Sequence, residues 1–297
     1  MAKALRSLAG QVVAITGGAR GIGRATAAAL IRQGARVAIG DIDASLVERT
    51  AQELGSSTIG LPVDVTDAES FEDFLQQVEA KLGPLDVLIN NAGIMPIGPF
   101  LEETDATTRR MVDINLNGVV YGSRLALTRF TARRRGHLVN VASIAGKAGT
   151  AGGATYCATK HAVIGLCEAL RLELRGSGVD LSVVIPIGVN TELYSGVTQL
   201  RGVKTPEPED VAKAIVGALQ TARFEVYVPK RMVVPILLSA LLPRRVAEPI
   251  GRLIRADQTL LEPNHSARAA YEVRLAELIT AAEEPADGAE EPQTQAV

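Results

Sequence analysis

The chain has 297 residues and a mass of 31.3 kDa, with 47% hydrophobic and 22% charged side chains. That composition excludes a largely disordered chain, and a fold of this size buries about three quarters of its unfolded surface without a disulfide or metal staple. The 31 basic and 33 acidic residues leave a net charge of −2, which argues against a general polyanion-binding surface and hence against a nucleic-acid partner.

VVAIT (12–16) is a β-branched apolar run that predicts a strand, followed by a Gly-rich turn and an Ala-rich helix over about 22–33. RVAIG (36–40) is the next strand. Asp43 or Ser45 can cap the helix after it, Ser45 with Glu48 as a capping box, and Thr66 with Glu69 repeats that pattern after a third strand at 58–64. Gly83-Pro84 ends the third helix, and LDVLIN (85–90) is a fourth strand. Residues 105–134 read as one long helix, HLVNVAS (137–143) as a strand, 154–175 as a helix and DLSVVIP (180–186) as a strand. A turn-like stretch over 194–207 leads to a helix from PEPED (206–210) to about 221, then to the short strand FEVYVP (224–229). Strands this apolar, without period-2 alternation and separated by helices, predict a doubly wound α/β domain with a parallel sheet covered on both faces. The expected organisation is a nucleotide-binding catalytic domain over 1–230, a C-terminal helical extension over 231–280, and a disordered acidic tail over 281–297.

Cys157 and Cys167 lie ten residues apart on one predicted helix and point away from each other, so they form no bridge and a reducing compartment is expected. The three histidines are scattered, so no metal site is expected. MAKALRSLAG runs straight into a strand and carries no secretory pattern, and no apolar run reaches the roughly 18 residues of a membrane span. A cytoplasmic location follows as an expectation.

TGGARGIG (16–23) joins the first strand to the first helix. Gly17 permits a tight turn, Gly21 and Gly23 allow close backbone approach, and the helix start offers free N–H groups to a diphosphate. Arg20 and Ile22 complete the loop. The spacing is neither G-x-G-x-x-G nor a Walker A loop. Asp41, just past the second strand and followed by Ile42, can accept both hydroxyls of an adenosine ribose and would repel a 2′-phosphate, which favours NAD over NADP. Arg20 is the one residue that speaks for NADP. Asp64, beside Val65, can accept from the adenine amine or cap its own loop. Asn90-Asn91-Ala92-Gly93 ends the fourth strand, where a parallel sheet opens its crevice.

Tyr156 and Lys160 stand one helical turn apart on one face. A free phenol titrates near about 10, and a neighbouring ammonium would lower it toward a working acid–base range. Ser143, at the end of the preceding strand, can bond a substrate oxygen or merely cap a turn. Taken in order, Thr16-Gly17-x-x-x-Gly21-x-Gly23, Asn90-Asn91-Ala92-Gly93, Asn115, Ser143 and Tyr156-x-x-x-Lys160 resemble the classical short-chain dehydrogenase/reductase family over about residues 10–230. The resemblance implies a single Rossmann-type domain, usually dimeric or tetrameric. It implies a tetrad in which Tyr156 is the acid/base, Ser143 orients the substrate, Lys160 bonds the nicotinamide ribose, and Asn115 holds a relay water. Asn117 is the competing asparagine. The family's Pro-Gly after the sixth strand is here Pro186-Ile187-Gly188, one place shifted, while Val189 and Thr191 match positions that contact the carboxamide.

Ile94, Met95, Pro96, Ile97, Leu193 and Tyr194 predict a mostly apolar substrate pocket, with Arg201 and Lys204 within possible reach. The expected reaction is NAD-dependent interconversion of a lipophilic secondary alcohol and its ketone. The alternatives are an NADPH-dependent carbonyl reductase and a non-catalytic nucleotide-binding protein. Within 228–256, MVVPILLSALL (232–242) is surrounded by six basic residues against one acid, Glu248. That stretch packs on the core or a partner subunit, forms a lid, or makes peripheral contact with an anionic membrane. His161 reads as a surface or interface residue, and His137 carries no assigned chemistry.

Overall fold

The computed structural model describes residues 5–198, 204–233, 243, 245, 249, 260–261 and 263–280. The apolar runs form strands β1 (Val12–Thr16), β2 (Arg36–Asp41), β3 (Thr58–Pro62), β4 (Val87–Asn90), β5 (Gly136–Val141), β6 (Val179–Pro186) and β7 (Glu225–Val228). They make one parallel sheet in the order β3-β2-β1-β4-β5-β6-β7, with Ile15 opposite Ile89 and Asn90 opposite Asn140. The order reverses between β1 and β4, so both crossovers leave that point and open a crevice above the carboxyl ends of these strands.

Helices α1 (Gly21–Ile31), α2 (Ala44–Leu54), α3 (Ala68–Leu82), α4 (Asp105–Val112), α5 (Gly118–Arg133), α6 (Ala154–Glu173), α7 (Pro208–Thr221) and α8 (His265–Thr280) follow the strands. Two apolar clusters cover the sheet. One joins Phe71, Phe74, Leu88, Phe130 and Leu138, and the other joins Val13, Ile15, Leu30, Val139 and Ile215. Both faces are therefore dry, which is why the strands read as continuous apolar runs. Cys157 and Cys167 are both buried in α6 and unbridged.

Local corrections have local causes. Of the two candidates for the α2 cap, Asp43 takes it and accepts from the Leu46 N–H, without the Ser45–Glu48 box; at α3 Asp67, not Thr66, is the cap. A carboxylate one or two residues from the candidate hydroxyl wins each helix start. β3 ends at Pro62, although the Val63 N–H beyond it still donates to the Asp41 carbonyl at 3.0 Å. The long helix expected over 105–134 is α4 and α5 joined by a π-helical segment, Asp113–Asn117, that contains Asn115. Such bulges are common at functional sites.

α8 forms the C-terminal helical extension and packs against α4 and the 3₁₀ turn Glu192–Tyr194. The apolar stretch 232–242, apart from residues 232 and 233, and the acidic tail 281–297 lie outside the described residues. Among the described residues, no helix is long and apolar enough to cross a membrane.

Candidate active site

At the end of β1 the backbone turns sharply, with Gly17 at φ +62° and Gly21 at φ +47°. A Cβ on Gly17 would lie 2.9 Å from the Ala92 Cα, and one on Gly23 would lie 2.2 Å from the Gly17 carbonyl oxygen. No side chain caps α1 at Arg20, so the first N–H groups of the helix, from Gly21, Ile22 and Gly23, are left without a capping acceptor. Thr191 approaches the same place: a Cβ on Gly21 would lie 3.2 Å from its methyl group. The loop is held from behind by Asn91, whose Nδ2 donates to the carbonyls of Thr16 (2.9 Å) and Gly17 (3.0 Å). Asn91 therefore braces the loop, while Ala92 and Gly93 line the cleft.

That cleft is walled by Gly17, Asp41, Ile42, Asp64, Val65 and Ile114, among others. Asp41 accepts from the backbone N–H groups of Ala19 and Asp43, yet burial outweighs these bonds and holds its pKa above the usual carboxylate value. Arg20 pairs with Asp43 at 3.1 Å and Glu192 at 3.4 Å. Asp64 caps its own loop, one of its two anticipated roles, and also faces a guanidinium. Its Oδ1 accepts from the Thr66 N–H (2.8 Å) and hydroxyl (2.7 Å), and its Oδ2 stands 3.7 Å from Arg110.

Ser143, just past β5, accepts from the Ala145 N–H at 3.2 Å and lies close enough to the Tyr156 phenol to favour its ionised form. Tyr156 and Lys160 lie on the buried side of α6, with Lys160 Nζ 5.7 Å from the Tyr156 ring centroid and donating to the Val141 carbonyl at 3.2 Å. Asn115 is fully buried. Its Oδ1 accepts from the Ile94 N–H (2.9 Å) and its Nδ2 donates to the Ile94 carbonyl (2.8 Å), whereas Asn117 bonds Asp113 on its own helix. The four residues Asn115, Ser143, Tyr156 and Lys160 thus converge on the carboxyl edge of β4 and β5.

One electrostatic expectation is corrected. Burial pushes Tyr156 well above the ordinary phenol value, and nearby Ser143 opposes it, with Tyr271 and Tyr194 adding to the rise. Lys160 is not among the groups that set this shift, and burial pushes the lysine itself down to about 8. In a site this dry, loss of hydration outweighs an ammonium held at this distance.

The shifted glycine has a visible cause. A Cβ on Gly188 would lie 2.1 Å from the Tyr194 ring, so glycine here makes room for that ring. Pro186 and Val189 are buried beside it. Ile94 and Met95 are buried, Lys204 is exposed, and Arg201 lies outside the described residues. His161 is exposed, with Nδ1 bonded to the Cys157 carbonyl.

Sequence alone does not single out four residues of the cleft wall: Val63, Arg110, Ile114 and Leu278. Arg110 is buried on α4, four residues before Ile114 and so on the same face, a spacing that contained the signal. Leu278 reaches the cleft from α8, and Arg268 and Tyr271 of the same helix bond the loop after β4. Nothing local in the sequence announces these three contacts.

A family model described as short chain dehydrogenase matches residues 11–201. The chain is 38% identical over 191 residues to a sorbitol dehydrogenase of Cereibacter sphaeroides, covering 64% of this chain and 75% of that protein. It is 35% identical over 231 residues to 2-(S)-hydroxypropyl-CoM dehydrogenase 3 of Xanthobacter autotrophicus, covering 71% and 90%. Among solved structures, a short-chain dehydrogenase/reductase from Burkholderia phymatum in complex with NAD superposes with a TM-score of 0.73 at 25% identity, covering 80% of this chain and 95% of that one. A 3-ketoacyl-(acyl-carrier-protein) reductase from Brucella melitensis, complexed with NADH, gives 0.69 at 25% identity, covering 75% and 98%. Sheet order, crevice and match agree, and the chain belongs to the short-chain dehydrogenase family as an NAD(P)-linked oxidoreductase.

Proposed function

We propose that the chain moves hydride between NAD and a hydrophobic secondary alcohol or its ketone. The charge arrangement at the end of β2 carries the cofactor choice. Asp41 lines the cleft where an adenosine ribose would rest, and a carboxylate there bonds two hydroxyls and repels a 2′-phosphate. Arg20, the residue that would favour such a phosphate, is already paired with Asp43 and Glu192. The NAD and NADH in the two similar structures support the same choice.

The residues fit the dinucleotide, because the uncapped start of α1 and the cradle that a Cβ at Gly17 or Gly23 would fill suit a diphosphate. Gly21, Ile22 and Gly23 would hold it. Asp41 and Ile42 would take the ribose, Asp64 and Val65 the adenine, and Ala92, Gly93, Pro186, Val189 and Thr191 the nicotinamide half. When bound, NAD supplies the hydride acceptor at its nicotinamide ring. Tyr156 Oη, held protonated by burial, is set to donate to a carbonyl oxygen during reduction. As acceptor of the alcohol proton during oxidation it would have to be ionised first, a state that the positive charge of an oxidised nicotinamide would favour. Ser143 Oγ bonds the substrate oxygen. Lys160 bonds the nicotinamide ribose. The Asn115 amide bonds both backbone groups of Ile94 and reaches the Thr159 hydroxyl at 3.4 Å, so its side chain holds the loop after β4 beside Lys160.

Ile94, Met95, Ile97, Leu193 and Tyr194 pack in the same apolar cluster as Tyr156, and with Pro96 beside them they support a lipophilic substrate. The test is NAD reduction on a panel of lipophilic secondary alcohols, with sorbitol as the polar comparator. Higher kcat/KM on lipophilic members is expected, and preference for sorbitol would contradict the substrate class. Tyr156→Phe is expected to lower kcat about 10²- to 10⁴-fold with NADH binding retained; wild-type turnover in that variant would remove Tyr156 from its role.

A homodimer or homotetramer is part of the proposal. Leu172 on α6 is 58% exposed, and the helices over about 105–130 and 154–175 carry apolar faces that resemble the family's subunit interface. Light scattering should give two or four times the 31.3 kDa chain mass, and a monomer at micromolar concentration would contradict pairing.

A further inference from the structure

The helix beyond the family-matched segment is bonded into the mouth of the active site. α8 starts at Asn264, whose side chain accepts from the Ala267 N–H and whose own N–H donates to the Gly196 carbonyl at 2.7 Å. Gly196 sits at φ +69°, and a Cβ there would lie 2.4 Å from the Asn264 carbonyl oxygen, so the loop after β6 and the start of α8 are in close contact. One turn on, Arg268 is 1% exposed, the largest fully buried side chain among the described residues. Its guanidinium donates to three backbone carbonyls on two loops: Leu193 (2.9 Å) and Ser195 (3.1 Å) after β6, and Met95 (2.5 Å) after β4. Tyr271 lies under that guanidinium, its ring centroid 4.6 Å from Cζ, and its hydroxyl accepts from the Met95 N–H at 2.8 Å.

The consequence concerns two adjacent residues. Asn115 holds both backbone groups of Ile94, and α8 holds both backbone groups of Met95. The segment that follows β4 and packs in one apolar cluster with Tyr156 is therefore pinned from inside by Asn115 and from outside by the extension. A buried guanidinium is costly to desolvate and is retained where its donors are matched. Here they are matched to carbonyls of separate loops, the pattern of a clamp rather than of a helix resting on an apolar face.

We propose that Arg268 and Tyr271 are positioning residues for substrate recognition, fixing the loops at 94–97 and 192–197 against each other so that they form one rigid substrate mouth. They act through Met95, Leu193 and Ser195 and touch no reacting atom. The proposal rests on the oxidoreductase reading for its kinetic arm only.

The test compares the full-length wild type with Tyr271→Phe and Arg268→Gln by hydrogen–deuterium exchange, NADH titration and steady-state kinetics. Tyr271→Phe keeps the ring and removes only the acceptor of the Met95 N–H. It should speed exchange in peptides covering 94–97 and leave 192–198 as in the wild type. Arg268→Gln should speed exchange in both loops and raise KM for the best alcohol substrate about 10- to 100-fold, the equilibrium factor of one lost charge-assisted hydrogen bond. NADH affinity should stay within about threefold and kcat should fall less than KM rises. Unchanged exchange in 94–97 for Tyr271→Phe overturns the proposal, as does faster exchange spread evenly over all seven strands. If Arg268→Gln does not fold, the Met95 amide in Tyr271→Phe decides alone. If the wild type turns over no alcohol, the substrate reading fails while the exchange result still decides this one.

Discussion

His137 shows how one buried side chain sets a pH response far from the active site. It opens β5, and its Nε2 lies 2.8 Å from the Ser182 Oγ, while that hydroxyl gives its own proton to the Arg223 carbonyl. Nε2 must therefore carry the ring proton. Burial pushes the pKa of His137 down to about 4; nearby Asp180 opposes the shift, and Arg6, paired with Asp180, reinforces it. The unfolded chain binds a proton below about 6.5, whereas the folded chain resists until about 4. Stability is thus expected to fall as pH drops through that window, by about 3 kcal/mol in all. Urea unfolding midpoints between pH 7 and 4.5 check this. His137→Gln should flatten the slope, and an unchanged slope would place the acid sensitivity elsewhere. The residue was assigned no chemistry from sequence, because burial depth at a strand start depends on a partner strand 45 positions away.

At the scale of elements, the turn from β1 to α1 was legible because its requirements are local. Gly17 and Gly21 need left-handed backbone, and Gly23 has no room for a side chain. Gly23→Ala places its Cβ against the Gly17 carbonyl, a backbone atom that moves only if the turn opens. It is expected to cost about 1–3 kcal/mol of stability and to weaken NADH binding at least about tenfold, read by thermal melting and NADH fluorescence. Wild-type affinity in that variant would show that the cradle does not hold the diphosphate. Other elements were less legible. The π-helical segment at Asp113–Asn117 has no distinctive composition, since it arises from how Asn115 is drawn onto Ile94. The α2 cap stayed open between two candidates and the α3 cap was displaced by one residue because several acceptors lie next to each other, and only the backbone path selects among Asp43, Ser45, Thr66 and Asp67.

For the whole molecule, strand order and crevice followed from apolar runs alternating with helices, a pattern that right-handed crossovers convert into one topology. What stayed hidden was the contribution of α8. Its Arg268 and Tyr271 meet Met95 across 173 and 176 positions, and no periodicity within the helix records that. The walls of the cleft thus come from the local motifs and from a distant helix, with Leu278 closing beside Asp41 and Arg110.

The central claim is that this cleft holds NAD through Asp41, with Arg20 occupied by carboxylates. A parallel titration of the purified full-length protein with NADH and NADPH, repeated on Asp41→Ala, tests it most directly. The account expects NADH to bind at least about tenfold more tightly than NADPH in the wild type, and the gap to close in Asp41→Ala. Equal or tighter NADPH binding by the wild type would contradict it and return the 2′-phosphate to Arg20.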